Sequence, residues 1–152
     1  MREELEKACE VWAKETIEMI RQILIDKDVN ASGSLSDSLR EDININEASL
    51  IIWAKEHAIW VDKGRGPTKN TGDGSLLEAI KEWVIRKPAT VNPYYLTKRI
   101  HEEGTLAHIK GINRGVFDDI KFWENRLMKL EDSIRFLYIN EINKATSQLV
   151  KL

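Results

Sequence analysis

The chain has a single cysteine, Cys9, which excludes an intramolecular disulfide and any cluster of thiolates around a metal. It has no apolar run near the ~20 residues that a membrane-spanning helix needs. It has little excess charge: 23 Lys and Arg against 25 Asp and Glu leave −2. That balance argues against a protein whose main work is gripping phosphate backbones, although it leaves room for local basic patches. Met1-Arg2-Glu3-Glu4 is acidic and has no apolar leader segment, so no signal peptide and synthesis in a reducing cytoplasm are expected. Internal repeats and low-complexity tracts are missing as well.

What is present suits one well-charged globular domain over residues 1–152, with 42% hydrophobic and 32% charged residues. Five tryptophans are many for this length, and each ring supplies large area to a core or an interface. Leu5, Cys9, Trp12, Thr16, Met19 and Ile23 recur at steps of three and four, which predicts a helix from Glu3 to about Ile25. Cys9 falls on that stripe as a small buried hydrophobe. Asp26 to Gly33 breaks the pattern, and Ser34–Leu39 suits a short helical turn or loop. Ile43 and Ile45 alternate with Asp42, Asn44 and Asn46, the period of a half-buried strand. Leu50-Ile51-Ile52-Trp53 reads as a second strand, apolar on both faces, with the turn at Asn46-Glu47.

Further on, Ser75 and Glu78 have the spacing of a capping box before a helix carrying Leu76, Leu77, Ile80, Trp83 and Val84. That helix is expected to run through Arg86 and Lys87 to a stop at Pro88. Asn92-Pro93 predicts the cap and first position of the next helix, which Gly104 closes. Residues 105–116 look like a loop in which Leu106–Ile112 could hide a short strand. An extended helix is expected over 118–150, with Ile120, Trp123, Leu127, Leu130, Ile134 and Leu137 as its first stripe and Tyr138, Ile142, Ala145 and Leu149 as its second. Packing on the first helix or the sheet explains it better than a coiled coil. The expected class is α+β, a small antiparallel sheet packed against long N- and C-terminal helices.

Chemistry is sparse. His101 and His108 lie seven apart across Gly104 and lack the one-turn spacing that puts two imidazoles on one metal. His57 has no cysteine or histidine near it in sequence. Gly64-Arg65-Gly66 is followed by Pro67 and Thr68 and not by a Lys-Ser/Thr pair and a helix, so it is a poor phosphate loop. No catalytic residue, metal site or cofactor is expected. Lys98, Arg99, Lys110 and Arg114 gather near Tyr94 and Tyr95, which fits a solvated face or, alternatively, the contact surface of a nucleic-acid-binding regulator. The segment Lys63–Gly74 holds almost nothing apolar and follows Trp53 and Trp60; such a loop is expected to satisfy itself only by contact with something else.

The order of elements resembles the tail-completion or head–tail joining (neck) proteins of long-tailed bacteriophages. It comprises a long helix, the turn Ser32-Gly33-Ser34-Leu35-Ser36-Asp37-Ser38-Leu39, a hairpin, and an aromatic turn ending in Gly64-Arg65-Gly66-Pro67. In that family the turn typically runs tyrosine-alanine-proline-tyrosine-valine-glutamate, then an aromatic and glycine-x-glycine. Here Ala58, Val61, Gly64 and Gly66 match, Trp60 and Asp62 match in kind, and His57, Ile59 and Lys63 depart. The resemblance spans residues 1 to 125, and the final helix extends beyond it. It implies a non-enzymatic virion protein, made in the host cytoplasm, that forms a homo-oligomeric ring in the neck or at the tail end. Other neck, connector or tail proteins would be its partners, with no membrane and at most incidental contact with packaged DNA. On that reading the loop Lys63–Gly74 is expected to reach a neighbouring subunit or ring and to order on docking, with Trp60, Asp62, Lys63, Gly64, Arg65, Gly66, Pro67 and Thr68 as the assembly interface and Arg65 as a polar anchor. Cross-subunit pairing at the Ile43–Trp53 hairpin edge is a second route.

Overall fold

The computed structural model describes residues 1–29, 33–68, 72, 74–87 and 90–149. Ser32 of the expected turn, Asn70, Thr71 and Asp73 of the expected loop, and Pro88 lie outside them. The elements are α1 (Arg2–Asp26), α2 (Ser34–Ser38), β1 (Arg40–Asn44), β2 (Ser49–Trp53), α3 (Ser75–Arg86), α4 (Pro93–Glu103), α5 (Leu106–Ile109) and α6 (Ile120–Leu149). Short 3-10 turns cover Ile45–Glu47 and Glu56–Trp60. The class is α+β, with a two-stranded antiparallel sheet and long first and last helices. The chain divides into two compact units.

The first unit holds Met1–Met19, the hairpin with Leu39, and residues from Asp119 onward. Its α1 segment buries Cys9, Trp12, Ala13, Thr16 and Ile17, a face set by the three–four spacing. Burial also pushes the Cys9 thiol up, as expected for a small core hydrophobe. α6 meets α1 through Arg126, which is 2% exposed. Its guanidinium donates from Nε to Thr16 Oγ1 (2.9 Å) and from Nη2 to Trp12 O (3.0 Å) and Glu15 Oε2 (3.3 Å). It also lies 5.4 Å from the Trp12 ring centroid, and Trp12 Nε1 donates to Arg126 O. Of the first apolar stripe expected on α6, Trp123, Leu130, Ile134 and Leu137 are half-buried, whereas Ile120 and Leu127 are exposed and the fully buried position between those two is an arginine.

The hairpin pairs Arg40 with Trp53, Asp42 with Ile51 and Asn44 with Ser49. Ile45 belongs to the turn and not to the strand, because the Asn44 side chain accepts from Asn46 N (3.1 Å) and Glu47 N (3.3 Å) and so starts a 3-10 turn there.

The second unit holds Ile20–Ser38 and Ala54–Asp118. Its buried apolar residues are Ile20, Leu24, Leu35, Ile100, Ala107 and Val116. α4 begins as expected, the Asn92 side chain accepting from Tyr94 N (2.9 Å) with Pro93 at the first position. α3 differs: Gly74 (φ 86°) occupies the cap position and Ser75 is the first helical residue, one position inside the cap that the expected box assigns to it. The short strand entertained within Leu106–Ile112 is a helical turn instead, with Ile109 N and Lys110 N donating to Thr105 O and Leu106 O.

Candidate assembly surface

The eight residues singled out from sequence belong to the second unit: Asp62 is buried, Gly64, Arg65, Gly66 and Thr68 are half-buried, and Trp60, Lys63 and Pro67 are exposed. The 3-10 turn Glu56–Trp60 leads into Asp62, whose carboxylate is 5% exposed and accepts three successive backbone N–H groups. These are Val116 (2.5 Å), Phe117 (2.8 Å) and Asp118 (2.9 Å). A buried carboxylate persists when its oxygens are met by such donors. Arg114 closes the same junction, donating from N to Asp62 O (2.9 Å) and from Nη1 to Val61 O (3.1 Å). Lys63 Nζ lies 3.1 Å from Asp118 Oδ2. That contact, helped by Asn113 and opposed by partial desolvation, holds the Asp118 carboxyl below the usual carboxylate range.

Gly64 has φ +76°, and a Cβ built there would sit 2.3 Å from Thr105 Oγ1 and 2.7 Å from His108 N. Only glycine allows the backbone this close. The Arg65 backbone then exchanges hydrogen bonds with Thr105: Arg65 N donates to the side-chain Thr105 Oγ1 (3.0 Å) and Thr105 N donates to Arg65 O (2.8 Å). The Arg65 guanidinium lies 5.3 Å from the Trp60 ring centroid. Gly66 packs on the His108 ring, Pro67 is exposed, and Thr68 N donates to His101 O (2.9 Å) with Thr68 Oγ1 2.5 Å from His101 Nδ1.

The expectation that this loop cannot satisfy itself is therefore corrected for Lys63–Thr68. Its backbone is paired with the α4–α5 junction, some 40 residues away in sequence. Sequence reasoning missed Thr105, His101 and His108 as its partners because neither periodicity nor spacing links segments so far apart. Asp62, expected in the assembly interface, is buried and its carboxylate is taken up by the Val116–Asp118 amides. Outward on the arm are Lys63 and Pro67, and beside them lie apolar side chains: Ile59 is exposed and Trp60 is 36% exposed, and Leu106, Ile109, Tyr94 and Tyr95 of the same unit are exposed too.

Little here supports bond-making chemistry. The Thr68–His101 contact brings one hydroxyl to one imidazole, but it ties two segments together, and no carboxylate accepts from His101 among the described residues. Among those residues no group of three His, Cys, Asp or Glu could hold a metal ion. Of the basic set considered for nucleic acid, Lys98 faces Glu102 (3.9 Å), Arg99 faces Glu103 (2.8 Å) and Arg114 is turned onto Val61 O. No helix of the described residues is long and apolar enough to cross a membrane. Comparison with protein families, with curated proteins and with solved structures gives no match.

Proposed function

We propose that the chain is a non-enzymatic structural subunit that assembles into a ring at the head–tail junction or tail end of a tailed bacteriophage. The observation that carries this reading is an apolar turn, Ile59-Trp60, presented at the surface of a glycine arm that is anchored through Asp62, Arg65 and Thr68. Exposed aromatic and aliphatic residues on a rigid support suit lasting contact with other protein. The resemblance of the His57–Gly66 turn to neck proteins names the assembly. A ring needs a head-to-tail contact whose rotation closes, and the outer side of this turn supplies one half of it. Arg65 acts by holding Trp60, and Lys63 and Pro67 flank the contact.

The test uses particles. Antibody against the chain should decorate the neck or tail end of intact virions, and removing its gene should leave filled heads and tails unjoined. Ile59→Asp should reproduce that defect while the purified variant keeps its wild-type circular dichroism. Normal joined particles without the gene, or with Ile59→Asp, would reject the reading.

A further inference from the structure

The hairpin has two edges of opposite character. β1 carries three charged residues in succession, Arg40, Glu41 and Asp42, whereas β2 is Ser49-Leu50-Ile51-Ile52-Trp53, with no charge, proline or glycine. The sheet has two strands, so alternate N–H and C=O groups along the outer side of each strand lack a ladder partner. No backbone bond from another element reaches β2 among the described residues. Ile51 and Trp53, on one face of the strand, are 41% and 47% exposed. Proteins blunt strand edges with charge, proline or bulges, and an unblunted apolar edge recruits another strand. β1 has that protection and β2 has none.

We propose that the β2 edge is an interaction surface for the β2 edge of a second copy of this chain, paired antiparallel about a two-fold axis into a four-stranded sheet. Charge selects this occupant. Centred on Ile51, self-pairing sets Ile51 against its own counterpart, Leu50 against Ile52 and Ser49 against Trp53, with no charged side chain on the new ladder. A β1 strand in the same place would set Glu41 and Asp42 against Leu50–Ile52, and β1 paired with itself about Asp42 would oppose like carboxylates. The resulting sheet ends on two charged β1 edges, so growth stops at two copies and does not continue as a fibre. This two-fold contact differs from the head-to-tail contact of a ring and stands apart from the neck reading.

Sedimentation equilibrium of the full chain between about 1 and 100 μM tests it, since that range brackets micromolar association. A dimer should be the first associated species. Ile51→Lys should raise its dissociation constant about tenfold or more with circular dichroism unchanged, because a lysine blunts the edge. Independently, Ile51→Cys should give a disulfide-linked dimer under mild oxidation, since opposed residues in an antiparallel pair lie about 4.5–5.5 Å apart, within disulfide reach. Asp42→Cys should not, and buried Cys9 leaves the background silent. A monomer throughout, a dimer indifferent to Ile51→Lys, or equal cross-linking through Asp42→Cys would overturn the proposal. If Ile51→Lys loses its fold, the cross-linking pair decides.

Discussion

Replacing Gly64 with alanine separates two reasons for a glycine that usually act together. Gly64 and Gly72 both have positive φ, +76° and +66°. A Cβ at Gly72 meets nothing within 4 Å, whereas at Gly64 it would lie 2.3 Å from Thr105 Oγ1, 2.7 Å from His108 N and 3.0 Å from the Ala107 Cβ. Alanine in the left-handed region costs about 1–2 kcal/mol, part of which is offset by about 0.4–1 kcal/mol because the unfolded chain also loses freedom. Gly72→Ala should therefore destabilise by at most about 1.6 kcal/mol. At Gly64 the Thr105 hydroxyl could rotate aside, but only by giving up its bond to Arg65 N, and the His108 amide is backbone and must move bodily. Overpacking of this kind adds about 1–3 kcal/mol, so Gly64→Ala should cost about 1–5 kcal/mol, more than Gly72→Ala by that increment. Urea unfolding gives the totals. Hydrogen exchange at the Thr105 and Thr68 amides, which bond to Arg65 O and His101 O, should show whether the arm has lifted. Equal costs at the two glycines, with those amides still protected, would refute the docked arm.

Asp62→Asn keeps the shape but turns an amide toward N–H donors at Val116–Asp118, so it should destabilise by about 2–4 kcal/mol and release those amides in hydrogen exchange. Arg126→Ala should cost about 3–5 kcal/mol, as loss of a large, fully buried side chain does, and Arg126→Met clearly less in thermal melts. Methionine fills the volume, and Trp12 O keeps its bond from the Thr16 hydroxyl. Asp118, depressed in the folded state by Lys63, contributes stability that is present above its unfolded value and lost as pH falls through the folded one, below about pH 4. An NMR titration should place its midpoint low, and Lys63→Met should bring it back up.

Elements whose cause is local were legible in the sequence. α1 follows from a stripe of apolar side chains, and α4 from the asparagine cap and proline at its start. The hairpin was visible in alternation, but alternation carried the first strand one residue too far, because Ile45 looks like the next apolar position while the Asn44 side chain has already started the turn. The cap position expected at Ser75 went to Gly74, which takes it with a left-handed backbone that a serine would resist. Arg126 was invisible for a different reason. Charge ordinarily marks the solvated side of a helix, and the α1 acceptors Trp12 O, Thr16 Oγ1 and Glu15 Oε2 make its burial favourable. The arm's docking site depends on contacts across some 40 residues and has no local signature at all.

That docking changes how the arm would meet a partner. A loop that orders on contact gives up part of its interaction energy to conformational entropy, which lowers affinity per unit of interface. Lys63–Thr68 has met that cost within its own unit, through the Asp62 carboxylate, the Arg65–Thr105 exchange and the Thr68–His101 bond. In the proposed assembly an incoming neighbour would meet Ile59 and Trp60 already positioned, with the Arg65 guanidinium near the indole and no rearrangement to wait for. Binding here should be close to rigid-body, and weakening it should not require touching the glycines. Loosening the anchor by Asp62→Asn should instead reduce affinity without removing a single side chain from the contact, which distinguishes a preformed surface from an arm that folds on arrival.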